Sequence, residues 1–207
     1  MQQLDSLYIL KCFKIYDDGV SMVQAILEYC PNQHLGGWIP SYSQCSTTDQ
    51  VQLALQIATG VSYIHESGFL HLDLKPANIL FDVYGNPKIA DFGFAVAISS
   101  IPQLSDLERT RGSPYWKSPE RLVSPYDLNV YGDAWSISVI FMQVVNGEQK
   151  PFNACKTKQE LYEAIMMQPL PQIKTSNAEF KEIIQSGLRI GYSGGAPVRS
   201  TATEMAK

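Results

Sequence analysis

The sequence has no CxxC pair and no short regular cysteine spacing; Cys12, Cys30, Cys45 and Cys155 are scattered along 207 residues. That excludes a disulfide scaffold and a zinc site of ordinary ligand spacing, and it suits a reducing cytosol or nucleus. Charge is sparse as well. Charged residues make up 17% of the chain, below the roughly 25% of an average soluble domain. Twenty acidic against sixteen basic residues leave a net charge of −4. A broad nucleic-acid surface needs a basic excess to neutralise phosphates, so that class is set aside. The opening MQQLDSLYILKCFKIY lacks a basic leader followed by an apolar core and a cleavage site. The longest apolar run, around Trp135 to Val145, is interrupted by Ser136, Ser138 and Gln143 and is too short to span a bilayer. It reads as a buried helix of a soluble protein. There is no internal repeat and no low-complexity segment.

What is present is core material. Hydrophobic residues make up 45% and aromatics 11%, enough for one large domain or two unequal ones. Tyr8 to Tyr16 and Met22 to Tyr29 are aromatic and β-branched runs around Asp17-Asp18-Gly19, which predicts a hairpin. Residues 31 to 46 read as a loop with at most a short helix. From Thr47 the apolar period changes to three and four, predicting a helix over about 48–66, capped by Thr48 and ended at Ser67-Gly68.

Short strands follow at Phe69 to Leu72, Ile79 to Asp82 and Lys88 to Ala90, the last two joined by Tyr84-Gly85-Asn86-Pro87. Residues 99 to 119 form a long polar connection, of the kind that is usually functional or mobile. Helices are expected over 133–147, 158–168 and 177–188. Residues 189 to 198 read as a glycine-rich loop, with Ser200 capping a last short helix.

Within HLDLKPANIL, residues 71 to 80, a carboxylate, a lysine and an asparagine fall within six positions. The strands around the YGNP turn would fold Asp91 of ADFG back beside Asn78. A carboxamide and a carboxylate so placed suit a hard cation such as Mg²⁺, which prefers oxygen ligands and is shared with substrate phosphates. Asp73 can orient a hydroxyl and accept its proton, and Lys75 can neutralise a phosphoryl group in flight.

HLDLKPAN followed by DFG resembles the catalytic and magnesium loops of eukaryotic protein kinases. Gly112-Ser113-Pro114-Tyr115-Trp116-Lys117-Ser118-Pro119-Glu120 is similar to the GTPxYxAPE segment, Asp133-Ala134-Trp135-Ser136 to DxWS, and Arg199-Ser200-Thr201-Ala202 to RPTA. The resemblance covers nearly the whole chain. It implies an α+β, kinase-like fold: a partial N-lobe with the hinge over 1–30, and a C-lobe over 31–207 with an activation loop at about 91–120. It implies transfer of the γ-phosphoryl of ATP, with Mg²⁺, to a protein Ser or Thr.

Carried over by position, Asp73 is the base, Lys75 the phosphate-neutralising lysine, and Asn78 and Asp91 the metal ligands. Leu27 takes the gatekeeper position, Glu28 and Cys30 the adenine hinge, and Leu80 the floor of the adenine site. Ser113 faces the substrate. Asp133 would hold the loop from below and Glu120 would pair with Arg199, both structural roles.

Two departures shape the expectation. No residue before Tyr8 supplies a glycine-rich loop or a third-strand lysine, and Lys11 and Lys14 fall on what reads as the fourth strand, so the N-lobe is expected to be truncated. Leu72 replaces the arginine of HRD, which removes the partner of a phosphorylated activation loop. A catalytically impaired or pseudokinase-like binding module is the rival reading. His71 reads as a packed structural histidine, the Cys30 thiol as a small buried hydrophobe, and Gly191 to Gly195, despite its GxSxG pattern, as a loop, since all three histidines precede it. No particular substrate or oligomeric state is specified.

Overall fold

The computed structural model describes residues 4–17, 19, 23–148, 151–152, 155–167, 171–190, 192–193, 196–197 and 199–207. The first apolar run splits in two. Tyr8 to Leu10 turns inward against β5 (Pro87–Ile89), with the Leu10 amide donating to the Ile89 carbonyl and the Ile89 amide to the Tyr8 carbonyl, each at 2.9 Å. Only Cys12–Asp17 continues as β1, antiparallel to β2 (Val23–Leu27). This hairpin is exposed along both strands, with Phe13 and Val23 at 58% and 66%. Asp18, in its expected turn, lies outside the described residues.

The body is helical. After α1 (Leu35–Tyr42), α2 spans Thr47–Glu66. Its cap is Ser46, whose hydroxyl accepts from the Asp49 amide at 3.2 Å, and not the expected Thr48. Thr48 already lies within the first turn of the helix, and the cap role belongs to the non-helical residue that precedes it. Gly68, at φ +83°, ends the helix as expected. Leu53, Ile57, Val61 and Ile64 recur on one face and are buried, each contributing about 1.5–3 kcal/mol.

They pack on α5 (Val130–Asn146), which is buried from Gly132 to Val145 and carries Trp135, Ile137, Ile140 and Phe141 into the common core. The expected start at 133 moves back to Val130 because Asn129 caps the helix, its Oδ1 accepting from the Tyr131 and Gly132 amides.

On one side of this core sit β3 (Phe69–Leu70) and the antiparallel pair β4 (Ile79–Phe81) and β5. β3 pairs with β6 (Val96–Ala97). The polar connection of 99–119 is ordered by short turns, α3 (Asp106–Arg109) and α4 (Pro119–Val123). Arg109 pins it from inside, donating to the carbonyls of Ile101 and Leu104.

Helices α6 (Lys158–Met167) and α7 (Ala178–Gly187) fall near their expected bounds. The glycine-rich stretch holds a small pairing of β7 (Tyr192–Ser193) with β8 (Ala196–Pro197); Gly191, Gly194, Gly195 and Val198 lie outside the described residues. The last helix, α8 (Ala202–Met205), is capped by Thr201, not Ser200, because Thr201 is one residue closer and closes a capping box with Glu204. Among the described residues no helix is long and apolar enough to cross a membrane.

Candidate active site

The loop between β3 and β4 is held from below by one carboxylate. Asp133, in the first turn of α5, accepts from the His71 amide at 2.8 Å, the Leu72 amide at 2.9 Å and His65 Nε2 at 3.0 Å. Burial pushes the Asp133 carboxyl up, but the His65 hydrogen bond and charge, together with the contributions of His71, outweigh it, so it stays below the ordinary carboxylate range.

Leu72 is left at φ +66°, a conformation unfavourable for a leucine. Its side chain turns into a second apolar cluster with Leu70 and Leu128, against which Val96, Ile101 and Leu104 pack. His71 is fully buried, and burial holds its pKa below the ordinary value, so the ring is neutral. Its Nδ1 accepts from the Asp73 amide at 3.3 Å, leaving Nε2 to donate to the Ala90 carbonyl at 3.0 Å. Its ring lies 5.0 Å from that of Phe92.

Asp73, 3% exposed, is the centre of the arrangement. Its Oδ1 accepts from the Ser113 amide at 2.7 Å; its Oδ2 accepts from Lys75 Nζ at 2.7 Å and Asn78 Nδ2 at 3.1 Å. Burial raises the Asp73 carboxyl, but hydrogen bonds from Lys75 and Ser113 prevail and keep it below the ordinary range. It is therefore a carboxylate at neutral pH. Lys75 also donates to Ser113 Oγ at 3.0 Å. Gly112 makes this convergence possible: at φ +105°, a Cβ there would stand 2.5 Å from the Leu72 carbonyl oxygen.

Pairing of β4 with β5 continues through the Ala90 amide donating to the Asn78 carbonyl at 2.8 Å, which sets Asp91 next to this pair. Asn78 spends Nδ2 on the Asp73 carboxylate and carbonyl, and its Oδ1 receives no hydrogen bond among the described residues. Asp91, exposed and left-handed at φ 60°, accepts, among the described residues, only a long 3.4 Å bond from the Gly93 amide. Two lightly used oxygens fit a cation that completes its shell with phosphate and water, as Mg²⁺ does. No cluster of three or more His, Cys, Asp or Glu that could hold a metal occurs among the described residues.

At the other edge, Leu27 ends β2 and is 40% exposed. The Glu28 carboxylate is committed twice, to Lys88 Nζ at 2.9 Å and the Lys11 amide at 3.1 Å. The segment from Glu28 to Gln33 runs along β4–β5, with the Phe81 amide donating to the Gln33 carbonyl. Leu80, half-buried, faces Lys88 across that pair. The Cys30 thiol is half-buried, pushed up by burial and then by the Glu28 charge. Lys11 and Lys14 turn elsewhere, to Asp5 at 3.4 Å and over the Tyr16 ring.

Farther off, Glu120 Oε2 meets Arg199 Nη2 at 2.9 Å with both side chains buried. The guanidinium lies 5.0 Å from the Trp135 ring.

Sequence reasoning did not find His65, Lys88, Lys117 or Arg121. His65 carries only the weak signal of a base in the last turn of a helix, Arg121 only its place beside Glu120. Arg121 is buried and donates to the carbonyls of Leu72 at 3.3 Å and Arg111 at 3.1 Å. A cavity of about 650 Å³ lies away from Asp73, among Asn32, Trp38, Tyr42, Phe81 and Tyr84.

A helical body with small antiparallel sheets and this loop against α5 defines a kinase-like fold with an incomplete N-lobe sheet. The chain belongs to the protein kinase family: the protein kinase domain matches residues 1–205. It is 36% identical over 110 residues, 52% of the chain, to mitogen-activated protein kinase kinase kinase 1 of Arabidopsis thaliana. It is 27% identical over 99% of its length to mitogen-activated protein kinase kinase kinase mkh1 of Cytospora mali. It is 34% identical over 74% of its length to the probable serine/threonine-protein kinase KCC4 of Saccharomyces cerevisiae. The chain spans 17%, 11% and 14% of those relatives. The family uses ATP and Mg²⁺ and acts on proteins.

Proposed function

We propose that this chain is the catalytic body of a Ser/Thr protein kinase, transferring the γ-phosphoryl of ATP to a serine or threonine hydroxyl. The observation that carries the reading is the Lys75 ammonium bonded both to the Asp73 carboxylate at 2.7 Å and to the Ser113 hydroxyl at 3.0 Å, with the Ser113 amide on the other Asp73 oxygen. An acceptor hydroxyl entering beside Ser113 would donate to Asp73, which would receive its proton as the oxygen bonds to the γ-phosphorus and the bond from that phosphorus to the departing ADP oxygen breaks. Lys75, released from Asp73, would offset charge on the moving phosphoryl group.

Asn78 and Asp91 would hold Mg²⁺, which would supply positive charge to offset that of the phosphates. Leu27, Glu28, Cys30 and Leu80 would frame the adenine. With Glu28's carboxylate occupied by Lys88, the backbone of that segment is what remains for recognition. His71, Asp133, Glu120 and Arg199 keep the frame. Residues 1–30 are read as the last part of the N-lobe with the hinge, 31–207 as the C-lobe, and about 91–120 as the activation segment. The partner is a protein presenting a Ser or Thr; a net charge of −4 does not favour a broad nucleic-acid surface. Four free thiols favour the cytosol or nucleus.

A second reading has its own support. Both Asp73 oxygens are engaged, and neither Lys11 nor Lys14 reaches the site, as a binding module without turnover would allow. Thermal melting with ATP, with and without Mg²⁺, separates the two. The kinase reading expects a rise that depends on Mg²⁺ and transfer of labelled phosphate to a generic protein acceptor. Nucleotide-independent melting would leave the binding module.

A further inference from the structure

Three cationic side chains from three separate elements meet beside the Asp73 loop; among the described residues none forms an ion pair, and the charges of Asp133, Glu120 and Asp73 act on Arg121 only from farther off. Lys117 follows the turn at Pro114–Trp116, Arg121 stands on α4, and Lys158 opens α6. With Thr110, Leu122 and Pro125 they line a cavity of about 70 Å³. Lys117 and Arg121 are 5% and 7% exposed, so neither draws much on bulk water. Lys117 Nζ donates to the Thr110 carbonyl, while the buried Arg121 Nε has no acceptor among the described residues.

Ion pairs among the described residues involve none of the three. Buried cations are ordinarily paired, because leaving water uncompensated is costly. Here burial, followed by the fields of Arg121 and Lys158, lowers Lys117 to about 8, and the opposing pull of Asp73 does not offset them.

The place of the cavity ties it to the reaction. Arg121 bonds the carbonyl of Leu72, the residue before Asp73. Lys117 follows Ser113 by four positions, and its Cε lies 3.3 Å from where a Cβ on Gly112 would stand. The volume admits about two waters at ~30 Å³ each, which is room for one carboxylate or phosphate group and too little for a nucleotide.

The geometry points to an anion subsite for the acceptor protein: Lys117, Arg121 and Lys158 receive a carboxylate or phosphate side chain lying close in sequence to the Ser or Thr presented to Asp73. This rests on the kinase reading of Asp73, and it deepens that reading by naming the substrate class as acidic or already phosphorylated segments. Entry of the anion gives Lys117 and Lys158 a partner without moving the loop.

The test is binding of fluorescent peptides to the whole chain, read by anisotropy without nucleotide, after phosphatase treatment so that Thr110 carries no phosphate. The peptides share a central serine; a single glutamate, phosphoserine, alanine or lysine is walked through the two positions on either side. At one position glutamate and phosphoserine should bind about tenfold tighter than alanine or lysine, the range of a desolvated charge pair. Lys158→Met, at an exposed site, should cut that gain to about threefold or less. Lys117→Met should remove it, and Lys117→Arg should keep it. Equal binding of all four peptides at every position overturns the inference. So does no binding by any of them, or a glutamate gain that survives both methionine variants. Nucleotide binding and phosphoryl transfer are read separately, so a failed peptide preference leaves the kinase reading standing or falling on its own evidence.

Discussion

Leu72 donates its amide to Asp133 Oδ1 at 2.9 Å while its own backbone is held at φ +66°. A left-handed leucine costs on the order of 1–3 kcal/mol and persists only where its surroundings over-determine it. Asp133 fixes the amide from below, Arg121 takes the carbonyl, and the apolar cluster around Leu70 and Leu128 takes the side chain. The result turns the next residue, Asp73, toward Ser113.

Asp133→Ala should therefore be among the most destabilising single changes. It leaves the buried His71 and Leu72 amides and His65 without their acceptor, at a cost of about 3–5 kcal/mol. Urea denaturation reads this as a lower midpoint at unchanged slope. Asp133→Asn retains an acceptor oxygen and should lose distinctly less.

At Leu72 the expectation concerns the segment that follows ADFG. The sequence places an apolar side chain where the family has an arginine. Its packing against Val96, Ile101 and Leu104 supplies an apolar anchor for that segment. Leu72→Ala should cost about 2–4 kcal/mol and open residues near 96–104 to proteolysis first. Cleavage that begins elsewhere would show that the cluster does not anchor the segment.

Among the described residues the Glu120–Arg199 pair makes a single hydrogen bond, and Glu120 Oε1 and Arg199 Nε and Nη1 find no partner there. Removing one partner alone, as in Arg199→Met, strands a buried carboxylate and should cost about 3–5 kcal/mol. The double change with Glu120→Gln should recover part of that loss. A double-mutant cycle in chemical denaturation measures the recovery.

Lys117 carries a pH signature. Its folded pKa is lowered from 10.5 to about 8, so between those values the unfolded chain binds more protons than the folded one, and stability gains from this group as pH rises through that window. Lys117→Met should then be more stable than the parent at pH 7. The advantage should shrink steadily toward pH 10. Melting curves across that range check both the sign and the window.

Asp73→Asn should abolish phosphoryl transfer to a generic acceptor. The amide can still accept from the Ser113 amide but faces Lys75 with a donor, so a loss of about 1–2 kcal/mol in stability is expected alongside. Residual transfer equal to the parent's would overturn the proposed role of Asp73 as base.

Local pattern was enough for much of the fold. The three- and four-residue period of Leu53, Ile57, Val61 and Ile64 gives α2, and the apolar run through Trp135 gives α5, because a helix face or a buried helix writes itself into consecutive residues. The spacing of Asp73, Asn78 and Asp91 likewise announces a loop, a tight strand pair and a return. Caps were missed by one or two residues at Ser46 and Thr201, where neighbouring hydroxyls are chemically alike and only backbone direction separates them.

What tertiary structure alone decided are contacts between residues far apart in the chain. His65 reaches Asp133 across 68 positions, and Lys88 meets Glu28 through the packing of β5 on the segment after β2. Lys117, Arg121 and Lys158 gather around one cavity only because α4 packs against α6. Such meetings leave no period in the sequence, since each partner is chosen by how the elements fold back on one another. The sequence by itself determined which chemistry the loop could carry; the packing around α5 determined which groups surround it and which charges remain unanswered.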